Sequence, residues 1–443
     1  MMRQRLQVTP PPESFFANFR EADRDAARRF YKKHLSLNGL HIAAAVVVDD
    51  AALLRTHYLV SHVLAGRPDV LEKMATVGTR LIIIGKDQVY TEMPEYRNAP
   101  NPAYLNERVR GTGGLDVTSF GEENLLNLPL DRYDDESIAV HEFCHTIDAA
   151  LGQLDPRWRS RLRQTYQSAQ AKGLWKNTYA LSNPGEYWGE IAQSYFDFNR
   201  VNNWNHGPIG TREQLLKYDP DGYALVHEAF KLSKSNDWRY TPIRRQPSVI
   251  PPPAKYAVPA VFTKFTLARE FPVVGLSHTS DKALLKVNDT IRKLFAYRHD
   301  ILKALINEGY YIAVLPKGAN EPGTDTKRLT VTETELGASV AVFAHVIATV
   351  VGTRPVDPAF DQRRDKQQYE LRVKRLDVAS FDERLKALHG EQRLEKWVAG
   401  VEAYFDTRKP RSREQLKATD PPLFALIEET FAYTDHPDWR FPK

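Results

Sequence analysis

Short apolar runs alternate with longer helical patterns along most of the chain. An apolar run begins near Leu40, and two helical patterns follow at 50–65 and 68–77. A second apolar run at 81–84 predicts a strand, and a long loop-rich segment occupies 86–137. Because strands are mixed with more numerous helices, the pattern predicts an α+β fold that is mostly helical with a small sheet.

Two stretches depart from this alternation. Residues 1–35 are polar and basic and include a run of prolines, so we expect an N-terminal extension, in which 19–34 could form an exposed helix. Residues 241–262 contain six prolines, which predicts a stiff linker between domains. The expected division is an extension at 1–35, a first domain at 36–242, the linker at 243–262 and a second domain at 263–443.

The second domain repeats the first, block by block. The matching pairs are 67–86 with 298–317, 140–152 with 340–352, 186–197 with 395–406, 212–220 with 413–421, and 237–239 with 438–440. One such match could be accidental, but five in the same order predict a tandem duplication. The offset falls from 231 to 200 before the second pair, so the second copy lacks 231 − 200 = 31 residues of the loop-rich segment.

The block at 138–151 carries an H-E-x-x-H motif, formed by His141, Glu142 and His145. Two histidines four residues apart lie on one face of a helix, so both imidazoles can reach one zinc ion at about 2.0–2.1 Å. Glu142 is then placed to act as general base on a metal-bound water. The helix is otherwise mostly apolar, and burying these groups without a partner costs several kcal/mol. The motif therefore predicts a zinc site rather than a solvated helix face.

A catalytic zinc site needs a third protein ligand, and two downstream acids are candidates. Glu186 and Glu190 lie one helical turn apart among aromatic residues, so one can bind the metal while the other accepts a hydrogen bond from a ligand imidazole. Asp148, one turn after His145, could accept such a bond too, or could be an ordinary surface acid. The metzincin pattern requires histidine at position 151, where this chain has leucine, and is excluded.

The stretch from 134 to 197 resembles a known family. HEFCHTID, followed by Tyr179 and by NPGEYWGE, is similar to the gluzincin metallopeptidases of the anthrax lethal factor and Mlc titration factor A type. The resemblance implies a zincin-like domain with His141, His145 and Glu186 as zinc ligands, Glu142 as base and Tyr179 as hydroxyl donor to the tetrahedral oxyanion. We accordingly expect Glu186 to be the ligand and Glu190 to orient an imidazole.

The second copy has lost most of this chemistry. Ala341 and Val342 stand where the first copy has His141 and Glu142, and His345 alone remains of the motif. We therefore expect an active first copy, a degenerate second copy and one zinc ion per chain.

Composition narrows the classes of partner. Hydrophobic residues make up 42% and charged residues 26%, as in soluble globular proteins. The net charge of +5 is spread over the chain without a long basic run, so no nucleic-acid partner is expected, and no apolar run approaches a membrane span. Cys144 is the sole cysteine, which excludes an intrachain disulfide. The start lacks the apolar region of a signal peptide, which favours a cytoplasmic protein, or a secreted one whose signal has been removed.

The sequence thus predicts a zinc metallopeptidase that acts on a peptide or protein substrate. Two alternatives stay open: a zinc hydrolase of a non-peptide amide or ester, and a chiefly protein-binding regulator on a zincin scaffold. The intact set of ligands and base in the first copy argues against a purely structural role. The sequence does not set the oligomeric state.

Overall fold

The computed structural model describes residues 6–128, 130, 131, 133, 136–176, 178–199, 209–240, 248–295, 301, 302, 305, 306, 308–349, 378–407 and 412–431. The described residues up to 240 form one compact unit, unit 1, and those from 248 onward form a second, unit 2. Each unit has its own sheet and its own hydrophobic core, and both are of the α+β class. No helix among the described residues is long and apolar enough to cross a membrane.

Unit 1 contains a mixed sheet in the order β1-β2-β3-β5-β4. Its strands are β1 (Tyr31–Leu37), β2 (Leu40–Ala45), β3 (Arg80–Ile84), β4 (Gly111–Thr112) and β5 (Val117–Gly121). The outer pairs β1–β2 and β4–β5 are antiparallel, whereas β2–β3 and β3–β5 are parallel. The residues of β2 and β3 are buried throughout, as is usual for strands covered on both faces.

Helices surround this sheet. They are α1 (Glu13–Ala17), α2 (Glu21–Phe30), α3 (Asp50–Val63), α4 (Pro68–Val77), α5 (Pro102–Arg108), α6 (Glu122–Leu125), α7 (Ile138–Leu154), α8 (Trp158–Ala171), α9 (Pro184–Tyr195), α10 (Arg212–Tyr218) and α11 (Pro220–Phe230). The helical patterns at 50–65 and 68–77 correspond to α3 and α4. A side-chain cap from Asp49 begins α3, and Gly78, with φ of 75°, ends α4 in the left-handed conformation that glycine adopts without strain.

The prediction of an N-terminal extension at 1–35 is wrong for the described part of that stretch. Phe15, Phe16 and Phe19 are buried in a separate small core against Tyr31, and β1 is a strand of the sheet. The charged residues of α2 gave this region a polar average composition, which concealed the three buried phenylalanines in front of it. Residues 6–35 are therefore part of the first domain.

A buried histidine pair joins the first two strands. The Nε2 atom of His34 on β1 lies 2.9 Å from Nδ1 of His41 on β2, and Phe15 packs against both rings. Burial, with a contribution from the neighbouring His41, lowers the pKa of His34 from 6.5 to about 4. Burial and the charge of Arg80 also lower the pKa of His41. The pair is therefore neutral at pH 7.

We expect acid to destabilise unit 1 through this pair. His34 binds a proton more readily in the unfolded chain than in the folded one, so its contribution to stability is present above pH 6.5 and is lost as the pH falls toward 4. Between pH 7 and pH 5 the free energy of unfolding should fall by about 1–2 kcal/mol from this group. Denaturant unfolding at the two pH values measures it. His34→Gln keeps a hydrogen-bonding side chain but cannot titrate, so an unchanged pH dependence in that variant would exclude His34 as the source.

Unit 2 has a four-stranded sheet in the order β6-β7-β8-β9. Its strands are β6 (Lys264–Ala268), β7 (Phe271–Gly275), β8 (Tyr311–Leu315) and β9 (Arg328–Thr332). Its fully described helices are α12 (Asp281–Leu294), α13 (Ser339–Thr349), α14 (Val378–His389), α15 (Arg393–Tyr404), α16 (Arg413–Thr419) and α17 (Pro421–Phe431). The pair β6–β7 is antiparallel, whereas β7–β8 and β8–β9 are parallel.

The predicted linker at 243–262 is only partly described, because 241–247 lie outside the described residues. The remainder belongs to unit 2. Ile250 pairs with Phe265 of β6 through two backbone hydrogen bonds, and Phe262 is buried. Prolines in this stretch therefore shape an edge of the second domain rather than a free spacer. In the repeat blocks, residues 298–300, 303, 304, 307 and 350–352 and the whole of 438–440 also lie outside the described residues.

The two sheets differ most in the connection before their last parallel strand. In unit 1, β3 ends at Ile84 and β5 begins at Val117, whereas in unit 2, β8 ends at Leu315 and β9 begins at Arg328. The connection is 20 residues longer in unit 1 and contains α5 and β4. Most of the length predicted to be missing from the second copy falls at this point.

Each sheet opens with a two-residue hairpin turn whose residues all have positive φ. The values are 49° and 91° for Asn38 and Gly39, and 51° and 71° for Arg269 and Glu270. Such turns match the twist of the flanking strands, and Asn-Gly is their favoured sequence. Arg269 is buried, and its guanidinium donates to the carbonyl of Phe295 at the end of α12.

Candidate metal centre

Local capping fixes the start of α7. Ser137 Oγ accepts the backbone N–H of Val140, and Asn124 Oδ1 accepts that of Ile138 at 2.9 Å. These contacts satisfy backbone donors that would otherwise be buried and unpaired. From this start, His141 and His145 fall on one face of the helix, with ring centroids 4.8 Å apart.

The acid that meets these histidines is Glu186, in the first turn of α9. Asn183 caps this helix by accepting the N–H of Glu186 at 3.0 Å. The Oε2 atom of Glu186 lies 3.0 Å from His141 Nε2 and 3.5 Å from His145 Nε2. The helix α9 packs along α7, and Trp188 Nε1 donates to the carbonyl of Cys144 at 2.7 Å, which fixes the two helices together.

These three side chains suit a zinc ion. Their ligand atoms all lie within 4.8 Å of one another, and within the described residues this is the one histidine, cysteine and acid cluster that does so. Two imidazole nitrogens and one carboxylate oxygen are the donors of a catalytic zinc centre, which leaves a fourth position for water or substrate. Separations of 3.0–3.5 Å also match those between ligands at about 2.0–2.1 Å from a tetrahedral metal.

A glutamine sets the tautomer of His141. Gln193 Oε1 lies 2.8 Å from His141 Nδ1, while Gln193 Nε2 donates to the carbonyl of Ser137 and to Glu136. Because the amide nitrogen already has two acceptors, its oxygen faces the imidazole and Nδ1 carries the hydrogen. Nε2 is then free to bind a metal.

Glu190 lies on the other side of the same ring. It is fully buried, its Oε1 is 3.5 Å from His141 Nδ1, and Asn199 donates to its Oε2 at 2.9 Å. The structure therefore places Glu186 at Nε2 of His141 and Glu190 at Nδ1, on opposite sides of the ring. Gln193 makes the shorter contact, and the sequence analysis missed it. The signal available was its position one turn beyond Glu190 on the same face of α9.

The imidazoles and Glu186 shift each other's pKa values. Burial alone lowers the pKa of His141, but the hydrogen bond and charge of Glu186 outweigh it and raise that pKa to about 10. Burial raises the pKa of Glu186, but the two imidazoles oppose it and hold the pKa below its usual range. A metal would replace the proton of this pair, since imidazole ligands must be deprotonated.

Glu142 points into a glycine-lined space. Burial raises its pKa, while both imidazoles and a hydrogen bond from the Gly113 N–H oppose the rise. A Cβ atom at Gly113 would collide with the Glu142 carbonyl and lie 2.6 Å from His145 Cβ, and one at Gly111 would lie 2.9 Å from Glu142 Cγ. Gly111 in the edge strand β4 and Gly113 just after it thus let this backbone lie directly on the motif helix.

Tyr179 also comes to the centre. It begins a short 3₁₀ helix, Tyr179–Leu181, is half-buried, and its ring centroid lies 6.0 Å from that of His141. This places a phenol ring beside the imidazole of His141.

The prediction for Asp148 is wrong. Its carboxylate accepts from Trp158 Nε1 at 2.7 Å and from Arg159 at 2.5 Å, both in the first turn of α8. The chain reverses after α7, so this face of the helix meets α8 rather than a ligand imidazole. Asp148 joins two helices and does not orient the metal ligands.

Comparisons with known proteins returned nothing: no family model, no curated protein and no solved structure matches this chain.

Proposed function

We propose that this chain is a zinc metallopeptidase, that each unit is a zincin-like domain, and that unit 1 carries the activity. One observation supports the proposal above the others: Glu186 Oε2 lies 3.0 Å and 3.5 Å from the Nε2 atoms of His141 and His145, with Glu142 on the adjoining turn. The two imidazoles also act on the charge of Glu142, which a structural ion pair between Glu186 and His141 alone would not require.

The mechanism follows from the residues around that point. A zinc ion held by His141, His145 and Glu186 would supply Lewis acidity and lower the pKa of water toward about 7. The Glu142 carboxylate takes the proton of the attacking water and passes it to the leaving amine. The Tyr179 hydroxyl donates to the oxyanion that develops on the carbonyl. The Gly113 N–H holds the Glu142 carboxylate in position.

Metal analysis followed by a peptide-library cleavage assay tests this function. We expect one zinc per chain, loss of activity with a chelator, and its return on adding zinc. Zinc-dependent turnover of esters or non-peptide amides alone would favour the alternative hydrolase. A metal-bound protein without turnover on any of these substrates would favour the protein-binding regulator.

Contacts repeated between the units support the tandem duplication. Trp397 Nε1 donates to the Ala344 carbonyl at 2.9 Å, as Trp188 does to Cys144. In unit 2, Lys264 bonds the Thr279 carbonyl and Asp281, each at 2.7 Å. In unit 1, Lys33 bonds the Val48 carbonyl and Asp50. Each of these three residues lies 231 positions before its counterpart in unit 2. The sheets also share an antiparallel pair followed by parallel strands.

A reciprocal change of size supports the loss of the metal from the second copy. A Cβ atom on Gly189 would lie 2.7 Å from the His141 ring, so the imidazole requires glycine at that position. In unit 2 the corresponding residues are Ala341 and Val398, and Val398 packs partly into the core. In unit 1 the large residue of the pair is on α7 and the small one is on α9. In unit 2 the small residue, Ala341, is on α13 and the large one, Val398, is on α15, so the space for an imidazole is lost.

We expect that reversing these two replacements restores a metal site in unit 2. Wild-type protein should bind one zinc, whereas Ala341→His with Val398→Gly should bind a second through the new imidazole, His345 and Glu395. Ala341→His alone should bind one, because Val398 blocks the ring. Elemental analysis after dialysis gives the stoichiometry. Two tightly bound zinc ions in the wild type would contradict the degenerate second copy, and a single zinc in the double variant would weaken the proposed duplication.

A further inference from the structure

Unit 2 contains a cavity of about 500 Å³ between α15, α16 and α17. Three small residues of α15, Ala399, Gly400 and Ala403, form one wall, and Lys396 and Asp420 contribute its charged groups. The volume falls in the range of small-ligand sites, roughly 300–1,000 Å³.

In unit 1 the corresponding position is filled by aromatic rings. Tyr187 donates its hydroxyl to Asp219 Oδ2 at 2.6 Å, and Trp175 Nε1 donates to the same oxygen at 2.8 Å. The Trp175 backbone N–H donates in turn to the hydroxyl of Tyr218, whose ring meets the indole edge to face. One buried carboxylate thus holds two aromatic donors.

Unit 2 keeps the carboxylate and has lost these rings. At the repeat offsets of 209 and 201, Lys396 replaces Tyr187, and Thr419 replaces Tyr218. Trp175 has no counterpart, because the short turn Gly390–Gln392 alone joins α14 to α15. Leu423 replaces Gly222 and fills part of the space of Tyr187, and the cavity is what remains.

Asp420, which retains the carboxylate, lines this space. Asp420 Oδ1 accepts the N–H of Leu423 at 3.2 Å, as Asp219 Oδ1 accepts that of Gly222. Asp420 Oδ2 lies 3.0 Å from His389 Nε2. In unit 1 the corresponding atom, Asp219 Oδ2, accepts hydrogen bonds from two donors. The Asp420 side chain is 25% exposed, whereas Asp219 is buried. The oxygen therefore has room for a donor that enters through the cavity.

We propose that this cavity binds the ring of a tyrosine or tryptophan residue of a polypeptide, with its O–H or N–H donating to Asp420. The ring takes the place that the aromatic side chains of unit 1 fill from within, and the small residues of α15 accept its flat face. This inference rests on the proposed duplication and not on the metal centre.

The test is calorimetric titration of N-acetyltyrosinamide into full-length protein treated with a chelator. We expect binding in the millimolar range, typical of a small fragment. N-acetylphenylalaninamide, which lacks the donor, should bind at least about 5-fold more weakly. Asp420→Asn should weaken tyrosinamide binding at least about 10-fold, since hydrogen bonds to charged groups are the stronger ones.

Ala399→Met provides a second variant, because its longer side chain fills the cavity while Asp420 itself is unchanged, and it should also abolish binding. Lys386→Gln, on the exposed face of α14, is the control and should bind as the wild type does. Circular dichroism melts verify that each variant folds. Equal affinity for the two amides, or wild-type affinity in both cavity variants, would overturn the proposal. Because the protein is stripped of metal, a failure of zinc-dependent peptidase activity leaves this result intact.

Discussion

Replacing Glu142 by glutamine should leave zinc bound and reduce peptide turnover by about 10²–10⁴-fold. Glutamine keeps the shape of the side chain and can still accept from the Gly113 N–H, but it cannot take a proton. Removal of a general base costs a factor of this size. Zinc stays because the ligand atoms belong to His141, His145 and Glu186.

The experiment pairs turnover of a cleaved peptide with elemental analysis of the same preparation. Glu72→Gln serves as the control, because Glu72 is an exposed acid on α4 and its substitution should change neither quantity. If Glu142→Gln lost its zinc, Glu142 would be a ligand and the assignment of Glu186 would have to be revised. If turnover were unchanged, the proposed mechanism would be wrong.

Replacing Glu186 by alanine should remove most of the zinc affinity. Its Oε2 is the one carboxylate oxygen that lies within 3.5 Å of both imidazole Nε2 atoms among the described residues. Its loss leaves two ligands and also removes the negative charge that offsets the metal. The effect should exceed the 10–100-fold that loss of a group behind a ligand typically costs.

Two variants on the same helix provide the zinc affinities with which Glu186→Ala is compared. Glu190→Gln and Gln193→Ala alter groups at the Nδ1 side of His141, so each should lower zinc affinity or activity by about 10–100-fold. Competition with a chromogenic chelator measures all three affinities. A larger loss in Glu190→Gln than in Glu186→Ala would reassign the ligand to Glu190.

The sequence was most informative where the chemistry depends on local geometry. The spacing of His141 and His145 sets one face of one helix whatever the rest of the fold does, and the structure brings both rings together. Glu186 required the pattern of a second helix and the family resemblance. Its position relative to Glu190 became visible only from the packing of α9 on α7.

The misses arise from contacts between elements. Gln193 orients His141 only because α9 crosses α7 beside Ser137, and one-dimensional patterns do not report such crossings. Asp148 was misjudged because nothing in its own helix indicates that α8 returns with Trp158 and Arg159. The N-terminal stretch was misjudged because its average polarity was counted and the burial of Phe15 depends on a distant strand.

The opening hairpins imply that the two units reach their native states by different routes. Asn38-Gly39 adopts its turn at little conformational cost, so β1 and β2 can pair through local contacts within about microseconds. The same positive-φ conformation costs Arg269 and Glu270 about 1–2 kcal/mol per residue. The contact of the Arg269 guanidinium with the Phe295 carbonyl offsets this cost, but it joins residues 26 apart in the chain. Closure of the second hairpin therefore waits for α12 to dock. In pulse-labelled hydrogen exchange, the turn amides of unit 1 should gain protection before those of unit 2.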